Sequence, residues 1–376
     1  MAEVHGTCEP RFETVRAALA ASFDAGLDVG ASAAVVLDGE LVADVWGGTI
    51  DDAGTPWAAD TIINVYSTTK TMTSLCALLL ADRGELDVDA PVVRYWPEFG
   101  AAGKAGILVR HLLGHTAGLA GWSEPMLVED LYDWDLATSR LAAQEPWWEP
   151  GTASGYHAMT QGYLVGEVVR RVAGVSLGEY FAKELARPLG ADFHIGTGPE
   201  HDHRVASVIP PPPLPMPPGA DETSIAVRTL TNPRLDATES FTIPWRRAEI
   251  PAAGGHGNAR SVARAQSVLC GAEVGGRRLL SEAGAALAFQ EQARCTDLVL
   301  GAPLRLGIGY GISGPEIPIG RGERACFWGG WGGSLVVNDL DAGLTVAYVM
   351  NRMGEGTLDD ARGAGIVQAA YAALDA

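Results

Sequence analysis

Ser67 stands three residues before Lys70 in Ser67-Thr68-Thr69-Lys70, at the head of an apolar run. On a helix that spacing puts both side chains on one face, a single turn apart. The lysine amine can then help strip the proton from the serine hydroxyl, as a Ser-Lys nucleophile requires. The chain has only three lysines, Lys70, Lys104 and Lys183, so chance alone supplies about 0.1 such pairings. Set among Thr69, Thr71 and Met72, Lys70 reads as half-buried, and burial lowers an amine's pKa and makes it a better base. The proton must also travel on to a leaving group. Tyr156, in Ser154-Gly155-Tyr156-His157-Ala158, is the candidate for carrying it. A phenol titrates at about 10 and acts as a base only beside a cation, which Lys70 could supply.

A fourth piece is Trp328-Gly329-Gly330-Trp331-Gly332-Gly333-Ser334. Glycines let a backbone approach a ligand closely, and an edge strand can offer N–H groups to an oxyanion. Two other patterns carry less. Gly174-Val175-Ser176-Leu177-Gly178 matches the G-x-S-x-G elbow, but that elbow needs a strand before its serine. Here Leu164, Val165, Val168, Val169 and Val172 mark a helix instead, and Ser176 with Glu179 spells a capping box. His111 and His115, four apart, could share a helical face, yet no glutamate follows His111 to complete a zinc motif. We expect no metal site there, and His201 and His203 sit in an acidic, exposed-looking stretch.

The elements that must position these groups follow from periodicity. A helix is expected from about Glu9 to Ala25. Strands at Ala33–Leu37 and Leu41–Trp46 flank the turn pair Asp38-Gly39. An extended stretch at Thr61–Val65 leads into a helix from about Ser67 to Arg83, stopped by Gly84 and apolar nearly all round, so central and buried. Helical periodicity runs from about Asp89 to Leu189, with loops at Gly114–Gly121 and Pro146–Gly155. Pro210–Pro218 holds seven prolines in nine residues and reads as a rigid surface excursion. A helix at about Ser261–Cys270 precedes strands at Leu335–Val337 and Leu344–Met350 and a final helix at about Leu358–Leu374. Strands at both ends with helices between predict one sheet interrupted by a helical lobe.

The 376 residues, 47% hydrophobic and 19% charged, are those of a folded protein. A formal charge of −19 argues against nucleic acid and anionic membranes as partners. Residues 1–20 carry Glu3, Glu9 and Glu13 and no signal-like apolar stretch, and no run is long enough to span a bilayer. Five scattered cysteines without a C-x-x-C pair suggest a reduced, cytoplasmic protein.

In this order the pieces resemble the serine β-lactamase and penicillin-binding-protein superfamily, and within it the class C-like branch of family VIII carboxylesterases. The likeness covers roughly residues 10–355. Ser67-x-x-Lys70 matches the nucleophile motif. Tyr156-His157-Ala158 looks like the Tyr-x-Asn element, which would bring His157 to the substrate. Trp328-Gly329-Gly330 stands where β-lactamases carry Lys-Thr-Gly, and His111-Leu112-Leu113-Gly114-His115-Thr116-Ala117-Gly118-Leu119 is similar to a stretch near the site mouth. The resemblance implies a β-lactamase-like α/β (α+β) fold, with a mixed antiparallel sheet flanked by helices. A mainly helical lobe of about residues 67–254 would be inserted into an α/β lobe of about 1–66 and 255–376. It implies an acyl-enzyme on Ser67, proton transfers shared by Lys70 and Tyr156, an oxyanion hole from the N–H groups of Ser67 and Trp331, and no cofactor.

Two departures matter. Trp328 replaces a residue that would bind a β-lactam carboxylate, and Ala158 replaces the asparagine that contacts its amide. Both favour small or short-chain neutral esters, with Trp122, Trp328 and Trp331 as candidate walls of an aromatic pocket beside Gly329 and Gly330. The expected protein is a serine carboxylesterase with a small-molecule ester as its partner. Its rivals are an acyltransferase using the same residues, a β-lactamase or D-peptidase, and a catalytically idle ligand-binding protein.

Overall fold

Asp38 and Gly39 both take positive φ, +49° and +85°, the conformation a two-residue hairpin turn demands. They join β2 (Gly30–Leu37) to β3 (Glu40–Gly48), which begin three residues earlier and end two residues later, respectively, than the expected strands. The computed structural model describes residues 3–211, 221–358 and 360–376, so most of the proline-rich run Pro210–Pro218 lies outside the described residues. Within them β1 is Val4–Cys8, and the chain's last third adds β4 (Ala293–Thr296), β5 (Pro303–Leu306), β6 (Gly311–Ile312), β7 (Ala325–Gly329), β8 (Leu335–Asp339) and β9 (Leu344–Met350). The sheet order is β1-β3-β2-β9-β8-β7-β6-β5-β4, and every neighbouring pair runs antiparallel. First and last thirds therefore build one sheet, joined where β2 meets β9.

The helices used below are α1 (Glu13–Asp24), α2 (Thr69–Asp82), α3 (Trp134–Ala143), α4 (Thr160–Ala173), α5 (Leu177–Phe181), α6 (Ile225–Thr231), α7 (Ala259–Gln266) and α8 (Ala361–Leu374). β2 and β9 are buried almost throughout, because helices cover both faces of the sheet. α8 packs on β9 and on α1, and Tyr348 of β9 hydrogen-bonds Asp28, which also pairs with Arg362 of α8 at 2.9 Å. On the opposite face α7 docks on β2, where Ala259 N donates to Ser32 Oγ. Alanines in β2 let these helices approach closely. No helix among the described residues is long and apolar enough to cross a membrane.

α2 is the buried central helix the sequence predicts, and every residue from Thr69 to Leu80 is buried. Met72, Leu75, Leu78, Leu79 and Leu80 are fully enclosed, and each such side chain contributes about 1.5–3 kcal/mol of burial energy. Its start differs from expectation. Tyr66–Thr68 forms a separate 3₁₀ turn, and the α-helix begins only at Thr69. Ser67 thus sits just ahead of the helix, with its backbone N–H free of the helical ladder. Gly84 ends the segment with φ +73°, as a C-terminal glycine does.

The G-x-S-x-G match resolves as the sequence indicates. Ser176 caps α5, accepting from Glu179 N at 3.2 Å in a complete capping box, and its Oγ donates to Glu249 at 2.5 Å. Ser176→Ala is expected to cost about 1 kcal/mol in stability, the usual worth of an N-cap, and to leave turnover unchanged. Parallel urea melts and rate measurements check both halves.

Candidate active site

The serine hydroxyl, the lysine amine and the phenol form a closed triangle. Lys70 Nζ lies 3.1 Å from Ser67 Oγ and 2.9 Å from Tyr156 OH, and Tyr156 OH donates to Ser67 Oγ at 2.5 Å. Lys70 comes from the first turn of α2 and Tyr156 from the loop before α4, which packs against α2. The amine also donates to Ala158 O at 2.7 Å and Ala252 O at 2.9 Å. The second of these depends on Gly162 of α4, where a Cβ would lie 2.3 Å from Ala252 N. That glycine lets the 251–252 backbone come within reach of the lysine.

Among the described residues no carboxylate touches Lys70, which is 1% exposed, and burial drives its pKa well below 10.5. Burial also pushes the Tyr156 phenol well above 10. Both effects favour the uncharged pair over ammonium and phenolate. The sequence suggested a cationic Lys70 supporting a phenolate base, and the buried setting reverses that emphasis. A free amine has two N–H groups, and two carbonyls take them. Its lone pair is left facing the Ser67 and Tyr156 hydroxyls, which is the geometry of a base.

Tyr66, just before the nucleophile, holds a positive φ of +44°, a strained conformation for a bulky residue. Its OH donates to Ala237 O at 2.8 Å, which helps fix that turn. Among the described residues neither Ser67 N–H nor Trp331 N–H is taken by a backbone acceptor. A cavity of about 370 Å³ opens over Ser67, lined among others by Tyr66, Tyr156, Ala158, Leu230, Leu300 and Trp331.

Three expected substrate contacts are corrected. Trp122 is 2% exposed. It packs edge-on against Tyr163 of α4, and its indole N–H donates to Ala137 O of α3 at 2.9 Å. It is part of the helix packing and lines no wall of the cavity. His157 is fully buried and staples two loops together. Its Nδ1 pairs with Gly155 O at 2.5 Å and its Nε2 accepts from Leu119 N at 3.1 Å. Burial lowers its pKa to about 4, so it stays neutral in that role. Trp328, 2% exposed, lies beneath the site, stacked on His115 at 5.5 Å and tilted against Tyr156 at 5.7 Å.

The two glycines after Trp328 serve the protein rather than a ligand. A Cβ on Gly329 would lie 2.3 Å from Thr357 O, and one on Gly330 would lie 2.2 Å from Val65 O. Gly330 lets the end of β7 close against the backbone just before Ser67, and Gly329 lets it close against the backbone at Thr357. The His111–Leu119 stretch is not at the mouth either. His115 leaves the short Val109–Leu113 helix with φ +58° and packs its ring against Tyr156 at 5.3 Å. His111 and His115 therefore share no helical face.

Asp297 was invisible in the sequence. Fully buried, it accepts from Tyr156 N, Ser154 Oγ and Val299 N at 2.9 Å and from Leu300 N at 3.0 Å. One carboxylate thus anchors both the tyrosine loop and the loop that carries Leu300 into the cavity. It stands alone in sequence among Thr296, Leu298 and Val299, in no motif.

A protein-family model described as Beta-lactamase matches residues 19–371. The chain belongs to the beta-lactamase family. Among members, it is 38% identical over 363 residues to "Esterase/beta-lactamase LipL" of Mycobacterium tuberculosis (strain ATCC 25618 / H37Rv), covering 93% of this chain and 83% of that protein. A crystal structure of a family VIII carboxylesterase superposes with a TM-score of 0.93 at 41% identity, covering 99% of this chain and 100% of the other. A penicillin-binding-protein homologue from Caulobacter crescentus gives 0.90 at 36% identity, with the same coverage. The beta-lactamase fold and the family VIII branch inferred from the motifs are both borne out.

Trp328 gives a sharp test within this beta-lactamase framework. Trp328→Phe keeps a ring beside Tyr156 but loses part of the stack, and aromatic pairs are worth about 0.5–1.5 kcal/mol. The expected result is a fall in kcat of about tenfold, since 1.36 kcal/mol is tenfold in rate, with KM nearly unchanged. A wall of the substrate pocket would instead shift KM from ester to ester.

Proposed function

We propose that the protein is a serine carboxylesterase that cleaves small or short-chain esters through an acyl-enzyme on Ser67. The observation that carries this reading is the Ser67–Lys70–Tyr156 triangle at the floor of an apolar cavity. The Lys70 lone pair, directly or through Tyr156, takes the hydroxyl proton as Ser67 Oγ attacks the acyl carbon. The developing oxyanion lies against the N–H groups of Ser67 and Trp331, where fixed donors in a dry site count for most. Tyr156 OH then passes a proton to the leaving alkoxide. Water, deprotonated by the same pair, attacks the acyl-enzyme and releases the acid.

The cleft would lie between an α/β part of about residues 1–66 and 255–376 and a helical part of about 67–254. All five cysteines are free, which supports a cytoplasmic setting, and the charge of −19 supports neither nucleic acid nor an anionic membrane as a partner. Ala158 at the cavity wall and the sunken Trp328 offer nothing to a β-lactam's amide and carboxylate, which favours esters over lactams.

Turnover of p-nitrophenyl acetate, butyrate and octanoate beside nitrocefin tests the reading, together with mapping of the serine labelled by a fluorophosphonate. Ester cleavage with nitrocefin turned over far more slowly, and the label on Ser67, is the expected outcome. A label on another serine, or nitrocefin cleaved as fast as the esters, would overturn it. Added alcohol that diverts product from acid to a new ester would mark an acyltransferase.

A further inference from the structure

Among the described residues the cavity over Ser67 has one carboxylate in its wall, Glu355, which the chemistry above does not use. Gly354 N donates to Gly332 O at 2.7 Å, and Gly332 N donates to Gly356 O at 3.0 Å. The residues on both sides of Glu355 are therefore tied to the residue that follows Trp331. This pairing holds the Glu355 backbone alongside that of Trp331, and the exposed Glu355 lines the cavity together with Trp331. Trp331 meets Tyr66 edge-to-face, with centroids 5.4 Å apart and planes at 64°. Among the described lining residues there is no lysine, arginine or histidine.

An indole ring and a phenol ring, a neighbouring carboxylate and apolar walls from Leu230, Leu235 and Leu300 make a recognisable combination. Ring faces are electrostatically negative and attract a cation, best at tryptophan, while the methyl groups of an alkylammonium need apolar contact. A chain carrying −19 overall adds a field that enriches cations and repels anions. A rim glutamate kept only for solubility would need neither the paired rings nor the double tether to Gly332.

We propose that this cavity selects esters bearing an alkylammonium group, the cation resting on Trp331 beside Glu355, and discriminates against esters bearing a carboxylate. The proposal rests on the esterase reading of the cavity and names the substrate class within it. The carbonyl sits at Ser67 and the ammonium points to the open edge. A β-lactam carboxylate aimed the same way would meet Glu355, which gives a second reason for poor lactam turnover.

The test uses acetylcholine, the acetyl ester of choline, and 3,3-dimethylbutyl acetate, which share a shape and differ by one positive charge. Binding is measured by calorimetry to Ser67→Ala protein, which cannot form an acyl-enzyme. The choline ester is expected to bind about tenfold more tightly at low salt, with the preference shrinking as salt rises. Adding Glu355→Gln should cut the preference by about threefold or more. Equal or weaker binding of the choline ester overturns the proposal, as does a preference indifferent to Glu355→Gln. The ratio of kcat/KM for the two esters in the wild type repeats the comparison with the serine in place. Absence of p-nitrophenyl butyrate cleavage would sink the esterase reading, while the binding ratio would still judge the ammonium preference by itself.

Discussion

Ser67→Ala is expected to lower kcat on p-nitrophenyl butyrate by about 10⁴–10⁶-fold, the range seen when a nucleophile that works as a unit with its base is removed. The fold should survive intact. Lys70 keeps Ala158 O, Ala252 O and Tyr156 as partners after the hydroxyl is gone, so no buried N–H group is stranded. The phenol loses its 2.5 Å acceptor but keeps the amine. A melting temperature close to wild type, with loss of both turnover and fluorophosphonate labelling, is the combined result. A mutant retaining a tenth of the wild-type rate would remove Ser67 from the chemistry.

Lys70→Met should be nearly as severe in rate, by about 10³–10⁴-fold, and should differ in its pH behaviour. The amine's folded pKa lies well below 10.5 because of burial. Activity that needs the free amine therefore sets in at a pH well below the ordinary lysine range and falls on the acid side, and that limb belongs to Lys70. The sign of the stability effect follows from proton counts. Between the lowered folded pKa and the unfolded value of about 10.4, the unfolded chain holds the extra proton. Lysine's presence thus makes the wild type least stable below that window and more stable as pH rises through it. Lys70→Met removes both the acid limb of kcat and this rise in stability, and it leaves the carbonyls of Ala158 and Ala252 without a donor. Each orphaned buried carbonyl costs about 1–3 kcal/mol. A methionine variant with an unchanged pH profile would mean that another group titrates.

The triangle was legible because its chemistry is written in side-chain types at fixed spacing. Ser67 and Lys70 lie one turn apart, and a lone tyrosine follows a glycine. The hairpin at Asp38-Gly39, the buried α2 and the cap at Ser176 were legible for the same reason, since each rests on local sequence. What failed was the sorting of large side chains between pocket and core. Trp122, Trp328 and His157 stood near site motifs, but an indole beside a glycine-rich turn can face either way. Tertiary packing against Tyr163, His115 and Leu119 decided the matter. Backbone partners could not be read at all. The carbonyls of Ala158 and Ala252 that hold the amine have no residue signature, and Gly162 shows its purpose only once Ala252 is in place. Asp297 works through four hydrogen bonds to residues up to 143 positions away, and no local pattern marks it.

The join between β2 and β9 has a consequence for the chain as it is made. Gly30–Leu37, an apolar strand, is paired on one side by its hairpin partner within a dozen residues. Its other edge waits for Leu344–Met350. At typical synthesis rates of 5–20 residues per second, that interval is about 15–60 s. During it the nascent protein carries an unpaired apolar strand edge, the feature that invites association between chains. Yield in the cell should therefore depend on synthesis speed and on chaperone supply more than the finished protein's stability would suggest.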